Sequence, residues 1–195
     1  MAVINDKYEF MFLCEPHTAS RSVRDALMQL ETSRETSQYH HINVARAIHN
    51  HYLTPEQASE YYLFATIRDP HDLLVTKWFI SVSRRDQTGF FKFISEHIKT
   101  LKDNTIFWRF YRDVNTFVRF EKLEQGVNQI LRGLGAPTVT LDHKREYKTD
   151  GKGHWRDEWS ERAYRWAADN YQDINRYGYN RGYDWHDMDP LVKPN

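Results

Sequence analysis

The sequence of 195 residues is poor in features that crosslink a chain or anchor it to a membrane. Its single cysteine, Cys14, has no second cysteine with which to form a disulfide within the chain. The apolar run at residues 10–14 is too short for a secretory signal, and acidic residues flank it. No stretch approaches the roughly 20 apolar residues that span a bilayer. We therefore expect a cytoplasmic protein without a membrane partner.

An excess of charge of either sign is also missing. Lys plus Arg and Asp plus Glu number 27 each, and this zero net charge argues against a general nucleic-acid binder. The 10 histidines form no H-x-x-x-H pair, so we expect no metal site. Charged residues at 28% and hydrophobic residues at 40% are typical of a folded protein, and the length fits one domain over residues 1–195.

The chain does show alternating strand and helix patterns. Apolar and β-branched runs predict strands at residues 8–14, 61–67 and 115–120. Amphipathic spacing and capping residues predict helices at residues 22–30, 90–101, 121–134 and 159–174, and two more that begin at Pro55 and Pro70. Thr54 and Gln57 are expected to cap the helix at Pro55, and the polar residues 31–38 are expected to form a loop. This order predicts an α/β domain with a mainly parallel sheet, in which ligands bind beyond the carboxyl ends of the strands.

Residues 16–22, Pro-His-Thr-Ala-Ser-Arg-Ser, follow the first predicted strand. A strand, a tight loop and a helix N-terminus form a cradle for anions, because backbone N–H groups and the helix dipole point at the ligand. Thr18, Ser20 and Ser22 add hydroxyl groups, and the small Ala19 lets an anion approach the backbone. A G-x-x-x-x-G-K-[ST] loop and an acidic strand end for magnesium are absent, which favours a phosphate bound without metal. An ordinary helix cap rich in serine and threonine fits the same residues.

A second strand-to-helix junction carries a cation and a hydroxyl group. Arg68 follows the strand at residues 61–67, Asp69 is expected to cap the next helix, and Thr76 lies two turns on. The forked guanidinium of arginine suits a phosphate. Two anion sites at neighbouring strand ends predict one ligand with two separated phosphates.

These two junctions resemble the motifs of sulfotransferases that use 3′-phosphoadenosine 5′-phosphosulfate (PAPS). Residues 16–22 resemble the family's first motif, P-K-[TA]-[GA]-[ST]-x-[ST], in the -T-A-S-x-S- form of the carbohydrate, uronyl 2-O type enzymes. Residues 68–76, RDPHDLLVT, resemble the second motif, R-[DN]-P-x-[DE]-R-x-x-S. Residues 117–137 and 166–179 are similar to the family's -rfE-l---l--il--lg and -y--D---fgY segments.

The resemblance implies a fold, a reaction and a set of cofactor contacts. The implied fold is a P-loop-NTPase-like parallel sheet flanked by helices, and the implied reaction moves a sulfuryl group from PAPS to a hydroxyl or amine, most plausibly of a saccharide, without metal. Arg68 and Thr76 take the place of the residues that hold the 3′-phosphate. Lys152 and Gly153 resemble the K-G pair of a loop that covers the cofactor. The residues implied to bind the 5′-phosphosulfate are His17, Thr18, Ala19, Ser20, Arg21 and Ser22.

The first motif departs from the family at His17, which stands where a lysine contacts the leaving phosphate and the bridging oxygen. Imidazole can donate one hydrogen bond there, and with an ordinary pKa of about 6.5 it is mostly neutral at pH 7. We therefore expect His17 to be catalytic, but to stabilise the leaving phosphate less than a lysine would. In the second motif, Thr76 for serine keeps the hydroxyl, whereas Leu73 replaces a common arginine.

The general base is expected between the two motifs, where the family uses a His or a Glu. We favour His41, with His40 second, because an extended segment sends only one of two adjacent side chains into a cleft. Glu56 and Glu60 are further candidates, on a predicted helix. A general base typically contributes about 10²–10⁴-fold to the rate.

Two other functions fit parts of the same pattern. A catalytically degenerate protein of this fold, acting in nucleotide binding or as a scaffold, would bind 3′,5′-adenosine bisphosphate without turnover, and the histidine at position 17 favours it. A P-loop kinase would need magnesium and ATP, and the missing Walker lysine argues against it. The motifs do not identify the acceptor, because acceptor specificity lies in loops.

Overall fold

Six strands form one mixed sheet in the computed structural model, which describes residues 2–14, 17–36, 42–83, 89–103, 113–142, 159–170 and 191–192. The three central strands, β2, β4 and β5, are parallel, and the outer strands pair antiparallel to their neighbours. In sheet order the strands are β3 (Ser33–Glu35), β1 (Ala2–Asn5), β2 (Phe10–Leu13), β4 (Tyr62–Ile67), β5 (Thr116–Arg119) and β6 (Leu191–Val192).

The sequence prediction of an α/β fold is confirmed, but the sheet is parallel only at its centre. β1 and β2 are joined by the four residues 6–9, and such a tight turn makes consecutive strands antiparallel. Residues 31–38, predicted as a loop, contain β3, so that prediction was wrong. β3 pairs through its backbone, with Glu35 opposite Val3, and an edge strand of this kind needs no apolar side chains.

Seven helices and one short 3₁₀ turn accompany the sheet within the described ranges. The helices are α1 (Ser20–Leu27), α2 (Val44–His49), α3 (Pro55–Glu60), α4 (Pro70–Ser83), α5 (Phe90–Asp103), α6 (Leu123–Gly133) and α7 (Glu161–Asn170), and the 3₁₀ turn is Phe120–Lys122. The capping box predicted at α3 is confirmed. Thr54 Oγ1 accepts from the Gln57 N–H at 3.2 Å, and Gln57 Oε1 accepts from the Thr54 N–H at 2.9 Å.

The described residues divide into two compact units. The first contains the six strands with α1, α2, α3 and α6, and the second contains α4, α5 and α7. The chain passes from the first unit to the second between Ile67 and Arg68.

Strands β1, β2, β4 and β5 of the first unit are buried on both faces, and one apolar cluster joins one face of the sheet to α1 and α6. Phe12 and Phe64 are in register on β2 and β4, and their ring centroids are 5.2 Å apart. Leu27 of α1 and Leu131 of α6, both fully buried, belong to the same cluster. α1 and α6 are therefore anchored to the sheet by their apolar faces.

The core of the second unit is rich in aromatic rings. Trp159, just before α7, lies edge-on to Phe90 of α5, with 5.0 Å between the ring centroids and 86° between the planes. Trp78 of α4 lies 5.2 Å from the same Phe90 ring. Ala163 and Ala167 of α7 are buried. These contacts hold the three helices of this unit together.

Candidate functional site

The loop between β2 and α1 has an unusual backbone. His17 and Ala19 have φ angles of 63° and 56°, on either side of Thr18. Residues other than glycine seldom adopt this left-handed region, because Cβ crowds the backbone. Such strain costs on the order of 1–3 kcal/mol per residue and persists only where the surroundings enforce it. The loop is therefore held in a defined shape by contacts outside itself.

Thr18 makes one of those contacts. It is fully buried, and its Oγ1 lies 2.6 Å from Oγ1 of Thr66 on β4, which is also fully buried. Because Leu13 at the end of β2 pairs with Ala65, Thr66 is the next residue of β4 beyond the end of β2. The hydroxyl of Thr18 is thus engaged with the sheet, and its contact with a ligand stays a prediction.

The first turn of α1 carries no negative charge. Ala19 occupies the N-cap position, and its carbonyl accepts from the N–H groups of Ser22 at 3.0 Å and Val23 at 3.3 Å. Ala19 has no side-chain group that could cap the helix, and no acidic residue lies in the first turn. Ser20 and Ser22 are half-buried, and Arg21 is exposed. The positive end of the helix dipole therefore meets no carboxylate of this turn, which favours an anion.

Cys14 lies between β2 and this loop, in surroundings that disfavour its thiolate. Burial raises the pKa of its thiol to about 12. The thiol is therefore protonated at neutral pH, and thiolate chemistry is suppressed. Cys14 is partly buried and packs against the core cluster of the first unit.

At the second junction, Arg68 is paired with Asp72. Arg68 Nε donates to Asp72 Oδ2 at 2.6 Å, and each side chain is only 15% exposed. Asp72 and the half-buried Thr76 are four residues apart and lie on the same side of α4. They follow Arg68 by one and two helical turns. A charge-assisted bond of this length restricts the guanidinium to few orientations.

Asp69 caps α4, as the sequence predicted. Its Oδ1 accepts from the backbone N–H of His71 at 2.9 Å and lies 2.9 Å from His71 Nδ1. Both residues are buried, and the His71 ring meets Trp159 edge-on at 4.9 Å. The hydrogen bonds of Asp69 and the ring contact of His71 therefore both hold the start of α4 in place.

Several predicted site residues lie outside the described residues: His40, His41, Lys152 and Gly153. Glu56 and Glu60 are exposed on α3.

Three features of the two junctions were not predicted from the sequence: the roles of Thr66 and His71, and the ion pair between Arg68 and Asp72. The four-residue spacing of Arg68 and Asp72 could have revealed that ion pair. No local signal links Thr18 to Thr66, because 48 residues separate them.

A groove of about 540 Å³ lies elsewhere in the first unit, near the amino ends of β4 and β5. Its lining includes Ile48, Leu63 and Asp113, and the residues that line it include no Lys, Arg or His. An anion has no cationic partner there, so this groove is not a candidate for the phosphate site.

In the part of the chain that the structure describes, no group of three or more His, Cys, Asp or Glu side chains is placed to hold a metal. No helix among the described residues is long and apolar enough to cross a membrane.

No protein-family model, curated protein or solved structure matches this chain. The resemblance of the two motifs to those of sulfotransferases therefore stays a prediction, carried by the motif residues and their local geometry.

Proposed function

We propose that this protein is a PAPS-dependent sulfotransferase with a P-loop-like fold. The acceptor we propose is a hydroxyl or amine of a saccharide. The proposal depends mainly on one observation, the loop that leads from the parallel strand β2 into α1. This loop has the motif sequence, its backbone is strained, and Thr18 bonds it to the sheet. The first turn of α1, which follows it, contains no acidic residue.

The loop at residues 17–22 is assigned to the 5′-phosphosulfate. Backbone N–H groups at the start of α1 are assigned to the phosphate oxygens, and the hydroxyls of Ser20 and Ser22 are assigned to the same oxygens. The absence of acidic residues in the first turn of α1 avoids repulsion of a ligand with several negative charges.

The 3′-phosphate is assigned to Arg68 and Thr76. Arg68 is bonded through Nε to Asp72, in the first turn of α4. We assign the 3′-phosphate to its guanidinium, whose forked geometry suits a phosphate, and to the hydroxyl of Thr76, two helical turns beyond Arg68.

The reaction is an in-line displacement at sulfur. The acceptor oxygen or nitrogen forms a bond to sulfur, the bond from sulfur to the bridging oxygen breaks, and its electron pair leaves with the 5′-phosphate. The acceptor proton passes to a general base, for which His41 and then His40 are our candidates. His17 donates a hydrogen bond to the leaving oxygen. Positioning and charge stabilisation dominate such a transfer.

A second function is favoured by one residue. Because His17 replaces the family's lysine, a protein that binds the nucleotide without turnover fits the same site. Such a protein would bind 3′-phosphoadenosine 5′-phosphate (PAP) as tightly as an enzyme would, but it would transfer no sulfuryl group.

The deciding experiment is calorimetric titration of the full chain with PAP in the absence of magnesium. Adenosine 5′-monophosphate (AMP), which lacks the 3′-phosphate, and ATP are the comparison ligands. We expect PAP to bind at least tenfold more tightly than AMP, the equivalent of about 1.4 kcal/mol. Arg68→Ala should abolish that preference, because the 3′-phosphate then loses its charge-assisted bonds.

Arg132→Ala is the matched control, since Arg132 is an exposed arginine in the last turn of α6 and should leave the PAP-to-AMP ratio unchanged. No binding of PAP, or tighter binding of ATP than of PAP when the titrations are repeated with magnesium, would overturn the proposal. Binding of PAP together with sulfuryl transfer from PAPS to a panel of saccharides supports the enzyme, and binding without transfer supports the second function.

A further inference from the structure

We propose that Thr66 is a positioning residue for the phosphosulfate loop, acting through the hydroxyl of Thr18. This inference rests on the proposed function, because it concerns how the same loop is kept ready for its ligand. Thr66 lies in β4, outside both sequence motifs.

The contact lies between the two strained residues of the loop. Thr18 is the central residue between His17 and Ala19, the two residues with positive φ. Its hydroxyl bond to Thr66, at 2.6 Å, joins the loop to a central strand of the sheet. Both threonines are fully buried, so water does not compete for the bond.

Strain makes this bond matter for binding as well as for stability. Two residues in the left-handed region tend to relax towards commoner angles, and relaxation would turn the backbone N–H groups away from their present directions. The hydrogen bond between Thr18 and Thr66 opposes that relaxation, because Thr18 lies in the middle of the loop. A ligand then meets donors already in place and does not have to order them.

The test starts with Thr66→Val, which removes the hydroxyl while keeping the β-branched shape suited to a strand. Thr66→Ser keeps the hydroxyl and is expected to behave like the natural protein to within about twofold. Thr36→Val is the matched control. It removes another buried threonine hydroxyl, one that accepts from the Ala2 N–H at 2.9 Å at the β3 edge of the sheet.

The first readout needs no ligand. Amide hydrogen exchange of Ser22 and Val23, whose N–H groups donate to the Ala19 carbonyl, should quicken about tenfold in Thr66→Val in the free protein, which corresponds to the loss of one hydrogen bond. Exchange should be unchanged at these residues in Thr36→Val. In a Thr18→Val background the Thr66→Val change should have almost no further effect, because the bond is already absent.

The second readout is calorimetry with PAP and AMP. Thr66→Val should weaken both ligands by the same factor, about tenfold, because both carry the 5′-phosphate that the loop holds. The ratio of PAP to AMP affinity should not change, because the 3′-phosphate is assigned to Arg68 and Thr76.

The two failures can be told apart. If the natural protein does not bind PAP, the proposed function fails, and the exchange experiment still decides whether Thr66 positions the loop. If the natural protein binds PAP but Thr66→Val changes neither exchange nor affinity, the inference about Thr66 is wrong. Equal effects of Thr36→Val and Thr66→Val on the loop would also overturn it, since they would show a general loss of stability.

Discussion

His17 is the residue at which the proposed chemistry departs most from the family that the motifs resemble. Its φ of 63° lies in the left-handed region, where histidine is found more often than most residues with a Cβ. The backbone at this position therefore tolerates histidine. The chemical consequence is a hydrogen-bond donor whose charge depends on pH, in place of the permanent charge of lysine.

We expect His17→Lys to tighten PAP binding by about tenfold at neutral pH, because an ammonium group carries a permanent positive charge there. Calorimetric titration with PAP measures the change. His49→Lys places the same substitution at an exposed histidine of α2 and should leave the affinity unchanged. Equal tightening in both variants would show that the added charge acts at no particular position, and would contradict a contact at residue 17.

At the scale of elements, α6 approaches β5 closely at a glycine. A Cβ at Gly126 would lie 2.7 Å from Cγ1 of Val118, which is fully buried on β5. Valine is stiff about χ1, so it cannot easily move aside. Gly126 thus sets the distance between α6 and the sheet.

Gly126→Ala should lower the free energy of unfolding by about 1–3 kcal/mol, because the added methyl group overpacks the core. Gly133→Ala is the matched substitution in the same helix. Nothing lies within 4 Å of a Cβ there, so this change should raise stability, by up to about 1 kcal/mol, through helix propensity. Urea denaturation of the two variants measures both changes. A neutral or stabilising Gly126→Ala would show that α6 is free to shift away from β5.

At the scale of the whole molecule, the polar network of Asp6, Arg34 and Tyr61 joins three elements and contains two acidic groups with shifted pKa values. Arg34 of β3 donates to both oxygens of Asp6, at 2.9 and 3.1 Å, and the hydroxyl of Tyr61 donates to Asp6 Oδ1 at 2.9 Å. The hydrogen bond from Arg34 lowers the pKa of Asp6. Burial, together with the bond to Asp6, raises the pKa of Tyr61 to about 12. The network joins the turn after β1 to β3 and to the start of β4.

These shifts act at opposite ends of the pH scale. The lowered pKa of Asp6 contributes stability above its ordinary value of 3.8, and this is lost as pH falls through the folded-state pKa. The raised pKa of Tyr61 contributes stability below its ordinary value of 10.0, and this is lost as pH rises towards about 12.

Asp6→Asn should therefore make the free energy of unfolding depend less on pH in the acid range. At neutral pH the variant should lose no more than about 1 kcal/mol of that free energy, because the ion pair is so exposed. Tyr61→Phe should likewise reduce the dependence on pH above pH 10. Urea denaturation across pH 2–5 and pH 9–12 measures both ranges. Parallel profiles for the variants and the natural protein would show that the network does not control stability in either range.

The sequence by itself determined the elements whose signals are local. β2, β4 and β5 follow from apolar runs, the capping box of α3 follows from the spacing of Thr54 and Gln57, and the start of α4 follows from Asp69 and Pro70. A strand pattern, a cap or a pair four residues apart needs only neighbours in the chain, so it can be recognised before the fold is known.

Only the tertiary structure decided the features that join distant parts of the chain. β3 and β6 have three and two residues, too few for a pattern, and they exist because β1 and β5 offer backbone partners. The bond from Thr18 to Thr66 depends on the register that sets β4 beside β2, and the strained angles of His17 and Ala19 are kept by such contacts. Long-range pairing is set by the folded sheet as a whole, so it cannot be predicted from the local propensities of the residues.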